Sequence, residues 1–362
     1  ALLMFGNVAM AASLPQPNKP ARDNSIKTDL SEKEGQYSDS EKVRILVELD
    51  TEPAIEYANK KGVMFKDLPQ STKDNLHKSN LDKQKAVKTK IGNKKVKIKY
   101  KEEFTTVVNG FSAEVEYGEI EKIKEVDNVG KVHIVNEYER PEEKPDMIYS
   151  KELVQAQDAW RDYGYKGEGM VIGIIDTGID PSHKDMVLSE ETNPKFTEAT
   201  VNLAVNKFGM DGKYYTEKVP YGYNYMDKND TILDLGSGAS MHGMHVAGTS
   251  AANGNEENGG IMGVAPEAQV LALKVFGNDP EFPSTYGDIY VKAIDDSINL
   301  GADVLNLSLG STAGFVNADE PEQMAVKRAT ENGIVVAISA GNSAHFGNGH
   351  ANPLASNPDI GV

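Results

Sequence analysis

Residues 171–180 read VIGIIDTGID, and residues 242–254 read HGMHVAGTSAANG. In the first stretch Val171, Ile172, Ile174 and Ile175 form a short run rich in β-branched residues, the composition of a strand buried on both faces of a parallel sheet. Asp176 then stands at the strand's carboxyl end, where open α/β sheets carry their chemistry, and Gly178 lets the chain turn sharply behind it. The second stretch is expected to be a helix led by His242. An imidazole at that helix end can face the strand edge, so acid and histidine are expected to meet.

Outward from these two stretches, strands and helices alternate. VLALKVF from Val270 predicts a strand, and Gly287 to Leu300 predicts a helix in which Tyr290, Ile294 and Ile298 recur at i, i+4 before a stop at Gly301. In VLNLSLG, Leu305, Leu307 and Leu309 alternate with Asn306 and Ser308, giving a strand with one apolar face. Pro321 to Asn332 predicts a further helix, ended by Gly333, and IVVAISAGN a further buried strand. The expected fold class over 156–362 is therefore α/β, a doubly wound and mostly parallel sheet. A helix over Ala156 to Tyr163 opens it and carries Trp160, the single tryptophan, as a packing residue.

A separate small α+β unit is expected over 41–140. VRILVEL, FTTVVNGFSAEVEY and VGKVHIV read as strands, with Asn109-Gly110 as a turn, and helical segments over Lys73 to Lys90 and Glu119 to Glu125 fill the gaps. That alternation predicts a ferredoxin-like split β-α-β unit. ERPEEKPD, residues 139–146, leads from this unit into the linker expected over 141–155 and reads as a protease-accessible connection. Residues 1–11 are apolar and end in Ala9-Met10-Ala11, as the tail of a secretory signal peptide does, and 12–40 read as a disordered linker. No membrane contact is expected once that signal is removed.

The formal net charge is −17, which argues against nucleic acid as a partner. The lysines between Lys73 and Lys90 carry no interleaved aromatic residues for base stacking and read as a solvated helix face. There is no cysteine, so disulfides, thiolate catalysis and cysteine metal sites are excluded.

DTGID, HGMHVAGT, SLGS and SAGNS occur in the order and context of the subtilisin-like serine peptidases, and the unit holding VNGFSAEV resembles their inhibitory propeptides. VPYGYNYMD, from Val219 to Asp227, is similar to the cell-envelope or minor extracellular type of Gram-positive bacteria. The resemblance implies a secreted, calcium-binding zymogen acting on protein or peptide substrates, with its own propeptide as intramolecular inhibitor. It implies Asp176 as orienting acid, His242 as general base and Asn342 as oxyanion donor. It also implies that Ser308, Leu309, Gly310, Ser339, Ala340 and Gly341 line the substrate pocket. Catalysis needs no cofactor. Structural Ca2+ is a candidate at Asp185, together with backbone oxygens of the loop from Gly254 to Gly263.

Taken singly, these residues have plainer readings. Asp176 could cap a helix or belong to a phosphate-binding turn, His242 and His245 could be a metal pair, and Asn342 could be a turn former. Ser250, in GTSAA, imitates the family's nucleophile motif, but it follows His242 by eight residues on one helix, about 12 Å along the axis. The family's GTSMA-type serine does not appear after Asn342, so a chain truncated before its nucleophile, inactive alone, is expected. The alternative is a non-catalytic inhibitor or binding protein built on the 41–140 unit.

Overall fold

The computed structural model describes residues 37–141, 150–236, 238–281, 284–310 and 319–341. Asn342 lies outside the described residues, as does the expected signal and linker region up to residue 36.

The first sheet is built from β1 (Lys42–Leu49), then α1 (Ala54–Lys61), α2 (Gln70–Asn93), β2 (Ile98–Phe104), β3 (Gly110–Glu116), α3 (Ile120–Lys124) and β4 (Val129–Ile134). Its strand order is β2-β3-β1-β4, with β3 antiparallel to β1 and β2 and β4 antiparallel to β1. This is the split β-α-β arrangement the alternation predicts. One detail differs. Residues 105–109, expected to continue a strand up to a turn at Asn109-Gly110, leave the ladder after Phe104, and the strand lies upstream at Ile98–Phe104. The cause is a carboxylate far along the chain: Asp295 accepts N–H bonds from Thr105 at 3.3 Å, Thr106 at 2.8 Å and Val107 at 2.7 Å. Those amides are satisfied by a buried acid instead of a neighbouring strand.

β5 (Glu137–Glu139) follows, then α4 (Ser150–Leu153), α5 (Ala156–Tyr163), β6 (Val171–Asp176), α6 (Glu198–Phe208), β7 (Tyr221–Asn224), α7 (His242–Ala251), β8 (Gln269–Lys274), β9 (Ser284–Tyr286), α8 (Gly287–Leu300), β10 (Val304–Leu307), α9 (Pro321–Glu331) and β11 (Val335–Ile338). The second sheet runs β11-β10-β6-β8-β7 and every pairing is parallel. Every residue of β6 and of β8 is buried, as expected for central strands covered on both faces. β11 was expected to be buried too, but it is the edge among the described residues, with Val335 63% exposed. Trp160 packs as expected, its indole N–H donating to the Val264 carbonyl at 2.9 Å.

α8 is enclosed on all sides. Beyond its apolar residues, Asp288, Asp295 and Asp296 are buried; the first sheet and the segment after β2 cover Asp288 and Asp295, and Asp296 meets Lys292 at 2.8 Å and Tyr225. Arg44 of β1 pairs with Asp288 at 2.8 Å and lies over the Tyr286 ring, and Thr106 donates to Asn299 at 2.8 Å. On α9, Arg328 donates to the Val107 carbonyl at 2.6 Å and meets Glu56 at 3.1 Å. Just beyond α9, Asn332 accepts from the Phe65 amide at 2.6 Å. Among the described residues no helix is long and apolar enough to cross a membrane.

Candidate active site

Parallel strands bring their carboxyl ends to one edge of the second sheet, and the candidate side chains gather there. Asp176 ends β6 at 1% exposure, and its Oδ1 lies 2.8 Å from Nδ1 of His242, the first residue of α7. The same oxygen accepts the Thr177 amide at 2.7 Å. The other two residues of the DTG motif have physical tasks of their own. The Thr177 hydroxyl accepts the Gly243 amide at 3.0 Å, tying the helix start to the strand end. Gly178 has φ +133°, and a side chain there would collide with the Ile232 carbonyl. A Cβ on Gly243 would stand 2.7 Å from the Gly178 carbonyl oxygen, so α7 approaches β6 this closely only because position 243 is glycine.

Burial pushes the Asp176 carboxyl above its ordinary range, opposed by the His242 hydrogen bond and charge and by the Thr177 amide. A dry carboxylate against one ring nitrogen fixes the imidazole's tautomer and leaves the other nitrogen to act as a base. Among the described residues no group of three or more His, Cys, Asp or Glu forms a metal site. The Ser250 hydroxyl donates to the Val246 carbonyl one turn back at 2.9 Å, the bond of an ordinary helical serine. Met244, on the same helix, takes the Asp180 amide on its sulfur at 3.3 Å.

The remaining candidates lie along the same edge. The register pairs Asn306 with Ile174 and Leu307 with Ile338; continued along the strands, it puts Ser308 level with Asp176 and beside Ser339. The Ser308 hydroxyl accepts from Asn306 at 2.8 Å, Leu309 is buried, and the Ser339 amide extends the ladder to Leu307 at 3.1 Å. Gly310, Ala340 and Gly341 carry the two chain segments onward past this edge. Asp185 lies elsewhere, buried beneath the loop after α7, where its Oδ2 accepts the Ile261 amide at 3.1 Å and its backbone carbonyl accepts the Asn253 amide. One carboxylate oxygen is thus bonded to the loop and the other lies 3.7 Å from the exposed Lys184 ammonium.

Several residues at the site carry no motif and were missed in the sequence. Asp234 is buried eight positions before His242, and its Oδ2 accepts the amides of Ser240 at 3.2 Å and Met241 at 3.0 Å. Those bonds hold Met241 at φ +58°, an uncommon conformation for a side-chain-bearing residue, directly ahead of the histidine. Lys274 is fully buried at the end of β8, donates to the Thr177 carbonyl, and is pushed down to about 8 by burial, against the pull of Asp234. Arg140 binds Asp234 at 2.7 Å and also donates to the Gly277 carbonyl. The sequence signal was weak: Asp234 sits in a small-residue stretch, and Arg140 in ERPEEKPD, which was expected to be an open linker. Its first residues are instead strapped down, Glu139 in β5 and the Pro141 carbonyl accepting from Ser240 at 3.3 Å; residues 142–149 lie outside the described residues.

β5 lies antiparallel to β9, pairing Glu137 with Tyr286, Tyr138 with Thr285 and Glu139 with Ser284. Tyr138 stacks on Tyr290 of α8 with ring centroids 4.7 Å apart, and its hydroxyl donates to Glu322 of α9 at 3.1 Å. Burial raises the Glu322 carboxyl from 4.5 to about 7, with Glu320 adding to the shift. A carboxyl raised on folding stabilises the fold fully below pH 4.5, and that contribution is lost as the pH climbs through 7. Glu322→Gln is expected to raise stability above pH 7 by about 2–3 kcal/mol and to change little near pH 4.5, checked by denaturant titrations at both pH values.

The family model described as the subtilase family matches residues 167–358. The PII-type proteinase of Lacticaseibacillus paracasei is 44% identical over 248 residues, covering 68% of this chain and 13% of that protein. The C5a peptidase of Streptococcus pyogenes serotype M1 is 32% identical over 203 residues, covering 54% of this chain and 17% of that protein. Among solved structures, fervidolysin from Fervidobacterium pennivorans, a keratinolytic enzyme related to subtilisin, matches with a TM-score of 0.47 and 19% identity, covering 84% of this chain and 40% of its own. The chain thus spans about an eighth of the length of the proteinase relative. The family match extends over more than half of the chain and takes in both the strand that ends in Asp176 and the helix that begins at His242, and the chain belongs to the subtilase family.

Proposed function

We propose that the whole protein is a secreted serine endopeptidase, made as a zymogen, in which Asp176 orients and charges His242 and His242 takes the proton of a serine hydroxyl. The observation that carries this is the 2.8 Å contact between a buried carboxylate and Nδ1 of a helix-leading histidine at the carboxyl edge of a parallel sheet. In the acylation step the serine oxygen attacks the peptide carbonyl carbon, its proton passes to Nε2 of His242, and that proton is handed on to the departing amine. Asn342 donates to the oxyanion while charge sits on it, and the segments Ser308 to Gly310 and Ser339 to Gly341 line the substrate pocket, the former also pairing with the substrate backbone as an added strand. The reaction needs no cofactor from this chain. Secretion is supported by the signal-like run before Ala12.

The first sheet with β5 is the intramolecular inhibitor in this proposal. The support is its position: it packs on α8 and α9, and β5 pairs antiparallel with β9. The test uses the whole protein with a serine-directed phosphonate probe and a casein substrate. Expected are labelling and hydrolysis after removal of the N-terminal unit, both lost in His242→Ala. Hydrolysis that survives His242→Ala would overturn the assignment. Inhibition of a relative by an expressed N-terminal unit, with no hydrolysis under any condition, would favour a non-catalytic inhibitor.

A further inference from the structure

Two buried carboxylates beside the Asp176–His242 pair each hold a side chain of the same short strand. In β5 and the residue after it, Glu137 and Glu139 are exposed while Tyr138 and Arg140 turn inward, as strand alternation requires. Tyr138 fills a slot floored by the fully buried ring of Tyr290 and closed by Glu322, which is 4% exposed. The Tyr138 hydroxyl bonds Glu322 and not the Tyr290 hydroxyl, which finds no hydrogen-bond partner among the described residues. Two residues on, the Arg140 guanidinium is clamped between Asp234 Oδ1 at 2.7 Å and the Gly277 carbonyl, with the Phe276 ring 5.7 Å from it. Asp234 has no exposed side-chain surface, and its second oxygen holds the Met241 amide, next to His242.

We propose that the cleft selects peptides carrying a tyrosine and, two residues toward the carboxyl end, an arginine, and that Tyr138-Glu139-Arg140 is this chain's own copy of that signal. This rests on the peptidase reading. The chemistry is discriminating at both positions. A buried carboxyl placed to accept a phenol rejects phenylalanine, because the acceptor is left unpaired when the hydroxyl is missing. A desolvated aspartate matched by one guanidinium and one backbone carbonyl favours arginine over lysine, which cannot span both acceptors in one plane. The residue between them points outward and is unconstrained.

The test is a set of fluorogenic peptides cut by the whole, processed protein, holding constant all positions but two. Relative to Tyr-Glu-Arg, replacing Arg by norleucine is expected to lower kcat/KM about 100-fold and replacing Tyr by Phe about 10-fold, and Asp234→Asn, which also loosens the turn ahead of His242 and lowers turnover of every peptide, should bring the ratio of kcat/KM between the arginine and norleucine peptides close to one. Activity on casein with the same kcat/KM for Tyr-Glu-Arg and Ala-Glu-Ala peptides overturns the inference and leaves the peptidase reading standing. Should no substrate be cut, the peptidase reading fails separately, and anisotropy of labelled peptides on the chain carrying Tyr138→Ala and Arg140→Ala still decides: tighter binding of Tyr-Glu-Arg supports the selectivity, and equal binding of Ala-Glu-Ala overturns it.

Discussion

Asp176→Asn in the whole, processed protein is expected to lower kcat about ten-thousand-fold with little change in KM. Asp176 Oδ1 serves both the His242 ring and the Thr177 amide, so an asparagine can keep its oxygen there or turn its amide group toward Nδ1. With the amide group turned, Nδ1 becomes an acceptor, the ring proton moves to Nε2, and the base is blocked. With the oxygen retained, the ring keeps its tautomer but loses the negative charge that stabilises the imidazolium. Either outcome acts on the transition state and not on substrate binding. Folding should be unimpaired, because a carboxylate whose ionised form is disfavoured by burial is replaced by a neutral group of the same shape. Kinetics and a thermal melt on the same preparation check both halves; activity within tenfold of the parent would show that Asp176 does not orient the base.

Asp295→Ala is expected to cost about 3–5 kcal/mol and to loosen the first sheet from α8 before the second sheet melts. Its carboxylate is the acceptor for three consecutive amides, those of Thr105, Thr106 and Val107, in a segment that has no strand partner. Alanine leaves those donors buried and unpaired. Asp295→Asn keeps one oxygen in reach of the two closest amides and should lose less than half as much. Limited proteolysis reads the difference: the alanine variant should yield a fragment lacking the first sheet under conditions where the parent stays intact. Equal resistance in all three proteins would mean that the docking is carried by Arg44, Arg328 and the apolar contacts instead.

Much of the second sheet was legible because its strands are local statements. The β-branched run into Asp176 and the glycine stops at Gly301 and Gly333, both with positive φ, carry their structure in adjacent residues. The Asp176–His242 pair was legible for a different reason, since two motifs resemble those of one family and the family fixes where they meet. What could not be read were contacts made by single residues across long separations. FTTVV has strand composition, and nothing in it announces that an aspartate 188 residues beyond Val107 will capture its amides. IDDS, on the helix after β9, resembles a solvated helix face, yet both acids are buried, Asp295 under the segment after β2 and Asp296 against Lys292 and Tyr225. Asp234, Arg140, Tyr138 and Glu322 belong to the same class: ordinary residues until the fold puts them in reach of one another. The edge position of β11 is of this kind too, since an apolar run says that a strand forms and not how many neighbours it will have.

The enclosed acids of α8 give departure of the first sheet a direction. While covered, Asp295 is pushed up to about 6 by burial; once uncovered it meets water and gives up its proton more readily. Covering it again means stripping that hydration shell, so between about pH 4 and pH 6 rising pH weakens the equilibrium hold of the first sheet on α8. The contact between the first sheet and α8 therefore carries its own pH dependence, firmest in acid and weaker toward neutrality.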